Sequence, residues 1–484
     1  MSDRDYEYVS RELALNYHLM HPGGDSVPGD CNAAVFKGGL YHMHYILQRP
    51  WGQERSFSFV HVTSPDMLHW TWQSTKLQPS FTGHGMFSGT ALVTRDNRVA
   101  AIYHGQGSGR NQIAVAVDDQ LSAWEKPYPV EPRLPDGGVP EMRHWDPDAF
   151  LIGDTYYSIS GGPNPPLLRS PDLVDWEYVG DFLTHEPADV IIGEDVSCPN
   201  FFPLDGRWML LCISHPYGCR YYIGDWDAEA EQFVPEFHER MNWRRPHQGS
   251  TETDYRDFFA PESLLTPDGR RGMWAWLCTL DSPLDQKSIQ SLPRELSLGS
   301  DGTLRIRPLR ELESLRRDPV TLRDVTVSPP EAMHSGMTRQ RLADLDGEAW
   351  EIRITVDREQ AQRKRFGLLL FATDDDEGLP LLFQPDSRTI RLGTVEAPFA
   401  AADLDPAEDL EVRVFIDKYL VEVFVCDRQA LLATHTTYQS ANGLYAYSYG
   451  ADTTFQTVEL WRMEATNEGF FAAQENPVWE PDLE

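Results

Sequence analysis

The chain has 484 residues, 41% of them hydrophobic, with 35 Gly and 35 Pro. That is enough to bury a large core in two turn-rich domains and too apolar for a disordered chain. A formal charge of −33 argues against nucleic acid and anionic membranes as partners, since both need a positive face, and suits a neutral small molecule.

The first twenty residues carry neither a basic nor an apolar leader region, and no run of 18 apolar residues follows. The six Cys are scattered without metal-binding spacing. The expectation is a cytoplasmic protein with reduced thiols and no membrane span. Only six of the 42 basic residues are Lys, a bias that composition leaves open between a GC-rich genome and a salty cytoplasm.

In chain order, one pattern returns five times: a short apolar strand, a turn, then an aromatic-rich strand. The copies are CNAAVFKGGLYHMHY (31–45), SGTALVTRDNRVAAIYH (88–104), DPDAFLIGDTYYSIS (146–160), CPNFFPLDGRWMLLCIS (198–214) and APESLLTPDGRRGMWAWL (260–277). Their aromatics Tyr41, Tyr103, Tyr156, Trp208 and Trp274 recur about every 50 to 65 residues, the spacing of propeller blades. A second repeat, S-P-D-x-x-x-W, occurs at 64–70 and 170–176. There Ser-Pro-Asp sets a turn and the Trp is expected between neighbouring blades.

The pattern stops near residue 310, in a charged stretch closed by Pro-Pro, and alternation resumes from Trp350 to Glu464. The predicted fold is all-β: a five-bladed β-propeller over 1–315, a linker over 316–328, and a β-sandwich over 329–466. The tail, 467–484, lacks periodicity and is expected to drape over a surface or fray.

Radial blades aim their innermost strands at one central funnel, so acids at the heads of those strands share a site. Asp30, in PGDCN, and Asp146, in RHWDPDAF, hold that position; Glu194 and Asp195, in GEDVSCPNFF, enter the fourth copy. Carboxylates crowded in a partly buried funnel have their pKa values split, which glycosidic cleavage requires: one attacks while another donates a proton. Trp51, Phe87, Ser88 and Trp145 are candidates for contacting a sugar. His42 and His44 form an H-x-H pair with no evident third ligand, so no metal is expected.

These residues resemble glycoside hydrolase family 32, the invertase, inulinase and levanase family. GDCNAAVFKGGLYHMHY resembles its N-D-P-N-G nucleophile motif and the strand that follows. RHWDPDAF stands at its R-D-P, and EDVSCPNFFPL resembles its E-C-P-D-x-F acid/base motif. FSGTAL, CRYYIGDWD, RDFFAPESL and QSLPREL are similar to further segments, and VRVFIDKYLVEVFV to its C-terminal sandwich. The likeness runs in order from about residue 16 to 464.

The resemblance implies cleavage of β-fructofuranosides by the retaining route without a cofactor. Asp30 would be the nucleophile, Asp146 the transition-state stabiliser, and Asn32, Trp51, Phe87, Ser88, Arg143, Trp145 and Glu262 would bind substrate. The sequence departs from the family at Cys31 for Pro, Ala33 for Gly, Trp145 for Arg, and Ser197 where the proton-donating Glu belongs. The acid/base is therefore open among Glu194, the favoured residue, Asp195 and Glu262. A fructosyltransferase, an arabinoside-cleaving relative and a non-catalytic fructan-binding protein are the alternatives. The sandwich offers a surface for self-association.

Overall fold

The computed structural model describes residues 9–23, 29–51, 54–74, 77, 85–105, 107–243, 257–278, 289–330, 337–373, 377–435 and 441–479, with the backbone alone at 49–51, 54 and 55. Among them are five four-stranded antiparallel sheets and two of six strands. Each four-stranded sheet is a meander whose strands pair in sequence order. Between Cys31–Lys37 and Leu40–Trp51 the turn is Gly38–Gly39, both at positive φ, as a two-residue hairpin requires.

The first strands of these sheets are Cys31–Lys37, Met86–Val93, Pro147–Ile152, Ser197–Leu204 and Phe259–Leu265. Each lies against the first strand of the next sheet, and the fifth lies against the first. Four-stranded sheets so arranged accord with the propeller read from the repeat spacing.

A cycle of side-chain hydrogen bonds joins these inner strands. Asn32 Oδ1 accepts from Gly89 N (2.8 Å), and Thr90 Oγ1 accepts from Ala149 N (3.4 Å). Asp148 Oδ2 accepts from Phe201 N (2.6 Å), Asn200 Oδ1 from Ser263 N (2.7 Å), and Glu262 Oε1 from Ala34 N (2.7 Å), which closes the circle. Each inner strand thus holds a backbone N–H of the next with one buried polar side chain. Thr90 also donates to Asp148 (2.6 Å), and Asn200 to Glu262 (3.3 Å). Gly89 is needed here, because a Cβ would lie 1.9 Å from Ile102 O.

Both S-P-D-x-x-x-W segments form the same turn. Asp66 Oδ1 accepts from Leu68 N and His69 N, and Asp172 Oδ1 from Val174 N and Asp175 N. The turns deliver Trp70 edge-on to Trp274 of the fifth sheet, and Trp176 into a cluster with Leu92 and Ile102 of the second. These tryptophans fill the space between neighbouring sheets, as the repeat implies.

One boundary expectation is corrected. The segment 316–328 is not a linker: Arg316–Val327 is an edge strand of the first six-stranded sheet, paired with Thr453–Met463. Its Arg316 holds the buried Glu351 through two hydrogen bonds of 2.7 and 2.8 Å. The tail contains a helix, Glu468–Glu475, docked through Phe470 on Trp72. Gln474 donates to Val9 O and Pro22 O, and Trp479 is fully buried.

The two kinds of sheet meet at a buried ionic cluster. Asp417 accepts from the backbone of Asn16 and Tyr17 (2.8 and 2.9 Å) and pairs with His18 Nδ1 (2.9 Å). Glu422 takes His18 Nε2 (3.3 Å), Arg294 (2.8 Å) and Leu292 N (2.7 Å). Burial alone would discharge His18, but the two carboxylates outweigh it and raise its pKa to about 9. Because this folded value exceeds the unfolded one, the stabilisation is complete below pH 6.5 and lost as pH rises through 9. Unfolding free energy should fall by about 2–3 kcal/mol between pH 6.5 and 9.5, measured by denaturant titration. His18→Gln should flatten that slope while lowering stability at pH 6.5.

Candidate active site

Two residues before each member of the polar belt stand Asp30, Ser88, Asp146, Cys198 and Ala260, and four of these form a connected layer. Ser88 Oγ donates to Asp30 Oδ2 (2.8 Å). Cys198 Sγ contacts Ser88 Oγ at 3.4 Å and Asp146 Oδ2 at 3.8 Å. Carboxylates 116 positions apart in sequence therefore share one buried cluster.

The backbone bends to make this layer. Pairing registers shift at the heads of the first, second, fourth and fifth inner strands. Ala33, Cys198 and Ala260 adopt φ of 46°, 45° and 42°, and Asp146 a φ of 25°. Left-handed conformations in residues with a Cβ cost energy and gather where side chains must be re-aimed.

Both carboxylates are buried. Burial lifts the Asp30 pKa to about 6 against the Ser88 hydrogen bond. Burial, then the charge of Asp30, lifts Asp146 to about 7. The two acids are coupled, so their protons leave in steps that belong to the pair. Asp30 Oδ1 is buried with no hydrogen-bond partner among the described residues, an arrangement that costs stability.

An aromatic wall adjoins Asp146. His104 lies between Phe87 (centroids 6.3 Å) and Trp145 (5.0 Å), and the Arg143 guanidinium sits 4.3 Å above the Trp145 ring. Ser160 Oγ accepts from Trp145 N (2.8 Å) and donates to Arg143 O (2.9 Å), fixing the approach to Asp146. Phe87, Ser88, Arg143 and Trp145 thus assemble around the carboxylates. The side chain of Trp51 lies outside the described residues.

Other expected site residues have different surroundings. Asn32 and Glu262 belong to the belt: the Asn32 amide also donates to Asp30 O (2.7 Å), and both Glu262 oxygens are engaged. Burial pushes the Glu262 carboxyl well above its ordinary value. Glu194, favoured as proton donor, is clamped by the guanidinium groups of Arg220 and Arg240, one on each oxygen. With its side chain fully buried, it has no oxygen to offer a leaving group.

Asp195 instead accepts from Ser197 Oγ (2.8 Å) and His215 N (2.9 Å), and lies 2.7 Å from His215 Nδ1. Burial would raise its pKa, but the His215 side chain and backbone and Ser197 hold it well below the carboxylate range. It is a fixed anion, not an acid. His215, which sequence reading did not single out, directly follows the strand Arg207–Ser214, which pairs with the fourth inner strand.

His42 Nδ1 meets His61 Nε2 at 3.0 Å, and His61 also stacks on His44 at 4.6 Å. These parallel rings do not converge on one ion, and no cluster of three metal-ligating side chains occurs among the described residues.

Paired buried carboxylates with split protonation beside an aromatic wall are the equipment of a glycosidase. The glycosyl hydrolases family 32 N-terminal domain matches residues 25–308 and the family 32 C-terminal domain residues 311–462. The chain belongs to this family and is a glycoside hydrolase. It is 27% identical to raffinose invertase of Escherichia coli, over 92% of this chain and 94% of that protein. It is also 27% identical to sucrose-6-phosphate hydrolase of Escherichia coli, over 93% and 94%. Fructan 1-exohydrolase IIa of Cichorium intybus shares the fold, with a TM-score of 0.72 at 20% identity, covering 94% of this chain and 98% of that one.

The raised Asp146 pKa sets a stability test. A folded value of about 7 against 3.8 means that the native state resists ionisation, so stability falls as pH rises between them. Asp146→Asn should stabilise the protein by on the order of 2 kcal/mol at pH 8. The gain should shrink toward zero at pH 4, as followed by thermal unfolding at each pH.

Proposed function

We propose that this chain is a retaining β-fructofuranosidase acting on terminal fructosyl units of sucrose or short fructo-oligosaccharides. Its five four-stranded sheets are read as the blades of a five-bladed propeller with the pocket at its centre. The observation that carries the reading is the linked cluster of Asp30, Ser88, Cys198 and Asp146. It places an ionisable carboxylate with an untied oxygen beside a second carboxyl of higher pKa.

In this reading Asp30 attacks the anomeric carbon, and the bond to the leaving oxygen breaks with its electron pair as that oxygen takes up a proton. Asp146 holds ring hydroxyls as positive charge develops on the ring. Water then opens the fructosyl ester with net retention. Cleavage of saccharides named for the relatives, an invertase and a sucrose-6-phosphate hydrolase, supports this substrate class.

Purified full-length protein should release fructose from sucrose and 1-kestose faster than from long inulin, with the β-anomer appearing first by NMR. Asp30→Ala should lower kcat/KM by at least about 10⁴-fold while retaining saccharide binding. Saturable binding without turnover, unchanged by Asp30→Ala, would identify a binding protein instead. Net transfer to sugar at high sucrose would identify a transferase.

A further inference from the structure

We propose that His104 is a specificity-determining residue, whose Nε2 accepts a hydrogen bond from one hydroxyl of the fructosyl unit. The inference rests on the fructosidase reading and names a group that selects the sugar.

Strand pairing fixes the place of the ring. His104 belongs to Val99–Gly105, which pairs antiparallel with the inner strand Met86–Val93. The register skips from Met86 opposite Gly105 to Gly89 opposite Tyr103, so His104 stands across from the bulge that carries Phe87 and Ser88. Its ring centroid lies 6.3 Å from that of Phe87 and 5.0 Å from that of Trp145. Ser88 follows Phe87 and holds Asp30 Oδ2 (2.8 Å), and Asp146 follows Trp145. The imidazole thus stands in the wall that flanks both carboxylates.

Hydrogen bonds decide which ring nitrogen carries the proton. Ser160 Oγ gives its one proton to the carbonyl of Arg143 (2.9 Å) or of Trp145 (3.0 Å), since neither can donate in return. Toward Asn111 it can therefore only accept. The Asn111 amide accordingly turns Nδ2 to Ser160 (3.1 Å) and Oδ1 to His104 Nδ1 (3.3 Å). Nδ1 must then be the donor, and in the neutral ring Nε2 bears a lone pair. Burial keeps the ring neutral, holding its pKa below the ordinary value against the Asn111 bond.

Nε2 is left to meet a ligand. It has no partner among the described residues and, in a ring 7% exposed, it is not cut off from solvent. Of the side chains in this wall, Phe87 has no polar atom, and Trp145 and Arg143 can only donate. Nε2 is the one acceptor of the four, and a desolvated acceptor favours a ligand that brings a donor. Every sugar hydroxyl is such a donor. The wall adjoins Asp146, to which the fructosidase reading gives the ring hydroxyls, so the donor belongs to the fructosyl unit.

The test is a cycle between protein and substrate. Wild-type protein, His104→Phe and His104→Gln are assayed on sucrose and on sucrose analogues lacking one fructosyl hydroxyl at a time. The intrinsic effect of each deletion on bond cleavage is common to the three proteins and cancels in the comparison. Against wild type, one analogue should lose about 10–100-fold in kcat/KM relative to sucrose. His104→Phe keeps an aromatic ring without the acceptor. It should lose about the same factor on sucrose, chiefly through KM, and less than about threefold more on that analogue. His104→Gln, which keeps an acceptor, should retain the discrimination. His104→Leu repeats the comparison if the phenylalanine variant does not fold.

Folded His104→Phe or His104→Leu that discriminates among the analogues as wild type does overturns the assignment and leaves the fructosidase reading intact. Wild-type inactivity toward sucrose and all its analogues overturns both.

Discussion

The structure depends on a closed belt of hydrogen bonds in which each inner strand captures a main-chain N–H of its neighbour. Asn32, Thr90, Asp148, Asn200 and Glu262, spaced 52 to 62 residues apart, are the five acceptors. A single hydrogen bond contributes only about 1 kcal/mol net, but a buried N–H left without its acceptor costs roughly 1–3 kcal/mol. In a cycle, moreover, no member can move without disturbing two neighbours. The belt therefore fixes register as well as stability. The buried acids it contains lie within the field of Arg271, which reaches Asp148 and Glu262 and lies 4.1 Å over the Phe202 ring.

A second layer lies two residues earlier, at the heads of the same five strands, where the polar groups are only partly satisfied among the described residues. That contrast is the functional content of the fold. Below, every carboxylate has donors that hold a strand. Above, among the described residues, Asp30 keeps one oxygen without a partner and Asp146 has weak thiol and main-chain contacts. A site built on a fixed floor needs little reorganisation to meet developing charge, and its strained, desolvated acids lower stability in return. The substitution of Ser197 for an acid fits the same logic. The short hydroxyl is turned into Asp195.

Much of this was legible in the sequence. Aromatic strands at regular spacing and the twin S-P-D-x-x-x-W turns revealed the repeated sheets, because hydrophobic burial and turn chemistry leave local marks. Asp30 and Asp146 stood out because both occupy the same phase of the repeat. The belt did not, since Asn, Thr, Asp, Asn and Glu perform one task with different side chains. Glu262 consequently read as a candidate for the site when it is part of the floor. Glu194 misled because its two arginine partners lie 26 and 46 residues away. Arg316–Val327 read as a linker because an edge strand exposed on most of its length has no apolar alternation to show. The order of the tail escaped because Phe470 of its helix and Trp479 beyond it are buried by distant residues.

The central claim is that carboxylates from separate sheets face a single fructosyl unit. A crystal structure of the Asp30→Ala protein with intact sucrose bound tests it most directly. The account predicts the fructosyl ring above the truncated side chain at position 30, with its hydroxyls on Asp146. Sucrose bound on another surface, away from positions 30 and 146, would contradict it.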